Sequence, residues 1–192
     1  MKAFFLALFT FFFLTHSSFG DDYLNAWYAL AQGKDSERLL SWMRGEAECI
    51  LAREPEKRVR CPVELPPFYG RLGLFVTFML DGKNRGCFGS FYHASPNAED
   101  VMRGYILGAL RSDYRSVPLS QSELDGADIV LTIAAQPFPA LSLESVDISS
   151  YGVMVNSEVV FVPAEIKTHE RLRRLCKGTI ESVHAFKAIT IK

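Results

Sequence analysis

The sequence predicts an α+β domain, a mainly antiparallel sheet with packed helices, and three observations carry that prediction. A helical apolar pattern fills residues 95–112; β-branched and aromatic runs fill 72–80, 127–135, 151–162 and 183–191; and turn pairs, Asp81-Gly82 and Asn156-Ser157, fold strand-like runs back on themselves. Hairpins pair strands antiparallel, whereas parallel strands need long crossovers.

Residues 36–53 place Leu39, Leu40, Met43, Ala47, Ile50 and Leu51 on one helical face, with Ser36 as N-cap. Cys49 falls off that face and is expected to be partly exposed. A proline-flanked connection, RVRCPVELPPF, carries Cys61. Leu72–Leu80 then reads as a strand that turns through DGKN, a loop longer than the minimal two residues, into a second strand.

Ser95 and Pro96 read as the N-cap and first residue of the next helix, with Glu99 and Asp100 in its first turn. Ala98, Val101, Met102, Tyr105, Ile106, Ala109 and Leu110 form its apolar stripe. Ser120 to Glu123 is a capping-box sequence opening a short helical turn. Ala127–Ala135 reads as a buried strand stopped by the prolines of QPFPAL. A hairpin over 151–162, a short helix over 168–177 packing Leu172, Leu175 and Cys176, and a last strand over 183–191 complete the order.

The chain opens MKAFFLALFTFFFLTHSSFGDD: one lysine, an apolar run from Ala3 to Leu14 broken only by Thr10, then small polar residues. This pattern reads as a secretory signal peptide over 1–20, with Ser18 and Gly20 set for a cut before Asp21. Retention as an uncleaved anchor is the alternative, although the run is short of the ~20 residues a bilayer requires. The expected location is exported, periplasmic or secreted, and no later stretch is long and apolar enough to span a membrane. Residues 21–192 then form one domain. Losing Lys2 leaves 20 basic against 22 acidic side chains, so nucleic acid is not an expected partner.

Export places Cys49, Cys61, Cys87 and Cys176 where disulfides persist, and Cys49–Cys61 is the preferred bridge, against both staying unpaired. No CxxC or His-Cys cluster suggests zinc, and phosphate loops, serine elbows and diagnostic glutamate pairs are absent. No metal or cofactor is expected.

The stretch NRGCFGS, Asn84 to Ser90, sets a thiol between two glycines. Strand alternation puts Arg85, Cys87 and Gly89 on one face, and a neighbouring guanidinium favours the thiolate. Glycine in a strand marks a bulge or a close approach. Two readings stand: a thiol that a substrate must reach, or a small core residue whose glycines admit neighbouring side chains.

GLFVTFMLDGKNRGCFGSF resembles the signature of the AMMECR family, named for a chromosomal region linked to Alport syndrome, midface hypoplasia and elliptocytosis. There a G-x-F-V-T strand leads into L-R-G-C-I-G; this chain has Gly73, Phe75, Val76 and Thr77, then Arg85, Gly86, Cys87 and Gly89, with Asn84 for leucine and Phe88 for isoleucine. Ala109, Asp113, Arg115, Pro118, Leu119, Glu123 and Leu124 follow the family's next motif, with one extra residue before Asp113 and Ser116 for phenylalanine. The similarity continues through YGVMVNSEVVFVPAEI and RLCKGTIESVHAFKAITI, covering about residues 37 to 191.

The resemblance implies a compact α+β fold in two unequal lobes, and no settled activity. Bacterial and archaeal relatives are generally intracellular and often encoded beside a Memo-type protein and a radical SAM enzyme, the AmmeMemoRadiSam system. An export signal separates this chain from that chemistry, so a shared fold is expected rather than a shared task.

Three functional readings follow. One is a module binding a small molecule or protein around Arg85, Gly86, Cys87 and Gly89, with Asp113 and Arg115 as ligand-binding residues. Another is a cysteine enzyme or redox protein in which Cys87 and Arg85 are catalytic and Asp113 with Arg115 places substrate. The third is a structural protein with a core cysteine, in which Asp113 and Arg115 fix the turn before Pro118. Arg111 lies near that pair. Lys167, Arg171, Arg173, Arg174 and Lys177 form a basic face that suits anionic headgroups or an acidic partner, or is simply solvated. His93, His169 and His184 follow no metal-binding spacing, and a Cys87–His93 dyad spans six residues.

Overall fold

A computed structural model describes residues 18–176 and 178–192. Among these residues five helices pack on one curled antiparallel sheet: α1 (Ser18–Gln32), α2 (Asp35–Ala52), α3 (Ala98–Arg111), α4 (Gln121–Leu124) and α5 (His169–Leu175). The strands are β1 (Leu72–Leu80), β2 (Lys83–Ser90), β3 (Asp128–Ala135), β4 (Phe138–Ala140), β5 (Tyr151–Val155), β6 (Val159–Phe161) and β7 (Val183–Ile191). Their spatial order is β2-β1-β3-β7-β5-β6, with β4 on β7, and every pairing is antiparallel. Most of the expected signal segment, residues 1–17, lies outside the described residues. Helix α1 runs through the expected cut between Gly20 and Asp21.

Alternation along β1 divides the interior. Leu72, Leu74, Val76 and Phe78 face a main core shared with Leu24 and Trp27 of α1, Met43 and Ala47 of α2, and Met102 and Ile106 of α3. Phe75 faces the other way, into the concave side, where it meets Cys87, Phe91, Ala134, Val162 and Phe186. A smaller core collects Val153, Val155, Phe161, Leu172 and Ala185. Strand β7 joins the lobes: Ala188–Ile191 pair with β3, while Val183–Lys187 pair with β5.

Several local features differ from the sequence expectation for identifiable reasons. Helix α1 was not expected, although Leu24, Trp27 and Ala31 have helical spacing; Trp27 Nε1 donates to Pro67 O at 3.3 Å. Helix α2 begins at Asp35, so Ser36 lies inside it rather than capping it. Asn97 caps α3, accepting from Glu99 N and Asp100 N, because its side chain reaches both free N–H groups from one position nearer than Pro96. Asp81 and Gly82 alone form the β1–β2 turn, both with positive φ, since Leu80 pairs directly with Lys83. The capping box of Ser120 and Glu123 and the turn at Asn156-Ser157 stand as read.

The expected Cys49–Cys61 bridge is absent, and all four cysteines are free. Trp42 Nε1 donates to Val59 O and Arg38 Nη2 to Pro62 O, so the segment carrying Cys61 runs back beside the N-terminal half of α2. That leaves it about two turns, or about 10 Å, from the level of Cys49. Disulfides bridge Cα atoms at most about 7 Å apart.

Candidate functional site

The β1–β2 register slips by one residue: Thr77 pairs with Cys87 and Phe78 with Gly86, but Met79 pairs with Asn84. Arg85 is therefore the extra residue of a β-bulge, and bulges re-aim side chains. Its Nε and Nη2 donate to Glu123 Oε1 and Oε2 at 2.8 and 3.0 Å, and its Nη1 donates to Val117 O. This corrects the sequence expectation, which placed the guanidinium beside the thiol.

Glu123 also accepts from Ser120 N and Ser120 Oγ, and these bonds, then Arg85, pull its carboxyl down to about 2. An acid lowered in the folded state contributes stability that is complete above its unfolded value and lost as pH falls through the folded one. An NMR titration of Glu123 should find a midpoint near 2 in the folded protein against 4.5 for the free side chain. A midpoint near 4.5 would mean that the capping box and the Arg85 pair do not hold in solution.

Cys87 lies on the concave face, 9% exposed, and Thr77 Oγ1 donates to its Sγ at 3.2 Å. Burial pushes the thiol up to about 12, and the Glu165 carboxylate reinforces it more than Arg115 opposes it. The thiol is neutral at physiological pH, contrary to the thiolate expectation. His93 is engaged elsewhere: Nε2 donates to Leu72 O and Nδ1 accepts from Tyr105 Oη, each at 2.8 Å. That assignment fits a neutral imidazole lowered by burial, and no dyad with Cys87 forms.

The glycines admit protein rather than ligand. A Cβ on Gly86 would stand 2.1 Å from Ala109 O of α3, and one on Gly89 would stand 2.2 Å from Leu74 O of β1. Helix α3 reciprocates at Gly108, where a Cβ would meet the Phe88 ring at 2.4 Å. Strand and helix thus each surrender a side chain to pack closely.

That close seating brings the end of α3 to the sheet edge. Asp113 Oδ2 accepts from Cys87 N at 2.8 Å, and Arg115 Nε and Nη2 donate to Asp113 at 2.9 and 3.1 Å. Arg115 Nη2 also donates to Glu165 Oε1 at 3.2 Å, Asn84 Nδ2 donates to the same oxygen, and Glu165 Oε2 accepts from Val162 N. Burial would raise Asp113, but its bonds with Arg115 and Cys87 N outweigh it and the carboxyl is lowered. Glu165, more deeply buried, is raised. The sequence pointed to Asp113 and Arg115 but missed Glu165, whose signal was a lone acid inside the apolar FVPAEI.

These groups bridge the two edge strands of the curled sheet. Between β2 and β6 lies a cleft of about 160 Å³, lined by Phe75, Cys87, Phe88, Asp113, Tyr114 and Glu158 among others. Arg111 points away, donating to Ile50 O. Two members of the expected basic face are paired, Arg173 with Glu144 and Arg174 with Glu170, while Lys167 and Arg171 are in no salt bridge among the described residues and Lys177 lies outside them. No group of three or more His, Cys, Asp or Glu among the described residues is placed to hold a metal ion. Nor is any helix among them long and apolar enough to cross a membrane.

The family model described as AMMECR1 matches residues 42–189, which include β2, α3 and the whole cleft. The chain belongs to the AMMECR1 family. AMMECR1 relatives include a protein of Thermotoga maritima, 36% identical over 103 residues, covering 53% of this chain and 57% of that protein. Another, from Methanosarcina barkeri, is 30% identical over 135 residues, covering 61% and 65%. The matched stretches thus span less than two thirds of these relatives' own length. An uncharacterized protein of Pyrococcus horikoshii, solved by crystallography, shares the AMMECR1-type fold with a TM-score of 0.58 at 16% identity, over 83% of this chain and 91% of that one.

Proposed function

We propose that this AMMECR1 domain is a binding module whose site is the cleft between β2 and β6, and that it takes a compact cationic group carried by a small molecule or a partner's side chain. The observation that carries this reading is the charge and shape of the cleft. The exposed Glu158 lines it beside the exposed rings of Phe88 and Tyr114, while the other two charged lining groups, Asp113 and Arg115, are bound to each other, which leaves the Glu158 carboxylate as the unpaired charge among the described residues of the lining. Carboxylates and ring faces both attract ammonium and guanidinium groups. At about 160 Å³ the cleft holds one such group, not a drug-sized molecule of roughly 300 Å³ or more.

The cysteine-enzyme reading is weaker because its nucleophile is neutral and buried. The two are separated by paired measurements. Iodoacetamide near neutral pH should modify the half-buried Cys49, Cys61 and Cys176 well before Cys87. Propylammonium should shift the backbone NMR signals of Cys87, Phe88 and Gly89, with propionate leaving them in place and Glu158→Gln weakening the effect. Rapid alkylation of Cys87 would instead favour the enzyme, and equal response to propionate would end the cation assignment.

Export belongs to the same proposal, supported by the apolar run before residue 15. Cleavage before Asp21 would leave Leu24 and Trp27 in place to pack α1 on the main core. Mass spectrometry of the exported protein should find Asp21 as its first residue.

A further inference from the structure

A second and larger recess lies on the far side of the β1–β2 turn. Strand β7 pairs with β3 only from Leu131 onward, so Asp128–Val130 have a strand neighbour on the β1 side alone. The opening beside them is a groove of about 730 Å³, roofed by α2 and the segment after β6. That volume falls in the range of roughly 300–1,000 Å³ typical of small-ligand pockets.

Its apolar lining is Leu40, Met79, Ile129, Val130, Pro163 and Ala164. Lys192 and two further cations, Arg44 and Lys167, also line the groove. Arg44 is fixed by donating to Leu124 O at 2.8 Å and Ala127 O at 2.5 Å, which orients the guanidinium without neutralising it and leaves further N–H donors free. Lys167 reaches back over Gly82, whose added Cβ would lie 3.4 Å from Nζ. Neither Arg44 nor Lys167 is in a salt bridge with a carboxylate among the described residues. Asp128 is the one acidic side chain in the lining and would repel a multiply charged ligand.

We infer that this groove is a binding site for a small amphipathic monoanion, an apolar body ending in a carboxylate, with the body on Met79, Ile129 and Pro163 and the carboxylate between Arg44 and Lys167. Burial of the chain supplies affinity, and the charge-assisted bonds set the orientation and select the head group. The site is separate from the β2–β6 cleft and does not depend on what that cleft binds.

Decanoate, decanol and decylammonium, each below its aggregation concentration, test it by calorimetry and methyl NMR on the whole chain. Decanoate should bind saturably at one site, about tenfold tighter than decanol and tighter still than decylammonium. Methyl signals of Met79 and Ile129 should shift while those of Cys87 and Gly89 stay in place. Lys167→Gln, at an exposed position that leaves the fold intact, should weaken decanoate severalfold toward the affinity of decanol, Arg44 remaining in place, and leave decanol unchanged. Equal affinity for the three probes, no saturable decanoate binding, indifference to Lys167→Gln, or shifts confined to the Cys87 cleft would each overturn the assignment.

Discussion

Arg115→Met should destabilise the protein by about 3 kcal/mol, lowering the midpoint of thermal unfolding by roughly 6–12 °C. The substitution keeps much of the hydrocarbon stem but removes the cation shared by Asp113 and Glu165, whose side chains are each 3% exposed. Arg115 itself is about a quarter exposed, which places the loss at the low end for a broken buried pair. The variant should also acquire a distinctive pH dependence. Without Arg115 both carboxyls would titrate above their unfolded values, and a group raised in the folded state contributes stability below its unfolded value that is lost as pH rises through the folded one. The deficit should therefore be larger at pH 8 than at pH 5. In the native protein Glu165 is already raised, but Asp113 is lowered and has the opposite dependence, so the reversal at Asp113 identifies the network rather than a general loss of packing. A loss below about 1 kcal/mol, equal at both pH values, would show that the seam between β2 and β6 is not held by these charges.

The periodic elements were legible because their faces are decided locally. Val101, Met102, Ile106, Ala109 and Leu110 follow α3's buried stripe, and β1 and β3 are buried nearly throughout, as their continuous apolar runs indicate. Strand β4 was hidden by Pro139, which is tolerated at a position that pairs with His184 of β7. What could not be read was register. Strict alternation puts Arg85 on the face of Cys87, and one inserted residue between Gly86 and Asn84 sends the guanidinium to Glu123 instead. Nothing in NRGCFGS distinguishes the bulged from the regular strand, because the bulge is fixed by what Arg85 finds at the α4 capping box. Asp113 and Arg115 were recognisable as a pair because they are local in sequence. Glu165 comes from the opposite edge of the sheet, so only the curl of the strands brings it to them.

The same packing makes Gly86 the position where the smallest change should have the largest effect. Gly86→Ala adds a single methyl, but that methyl would stand 2.1 Å from the backbone carbonyl oxygen of Ala109, and a helix backbone cannot rotate aside as a side chain can. Relief requires α3 to lift off β2, and overpacking of this kind costs about 3 kcal/mol. Gly104→Ala supplies the control on the same helix: no atom outside its neighbours lies within 4 Å of the added carbon. There the higher helix propensity of alanine should raise stability by up to about 1 kcal/mol. The displacement also has a local consequence, because Asp113 comes just after Ser112, the C-cap of α3, and receives the Cys87 N–H at 2.8 Å. Moving the helix should break that bond, so the Cys87 amide of Gly86→Ala should exchange with solvent faster than in the native protein even well below the unfolding midpoint. If Gly86→Ala is as stable as the native protein and its Cys87 amide is equally protected, the glycine is not there for the helix, and a ligand that approaches the strand backbone becomes the better explanation for the missing side chain.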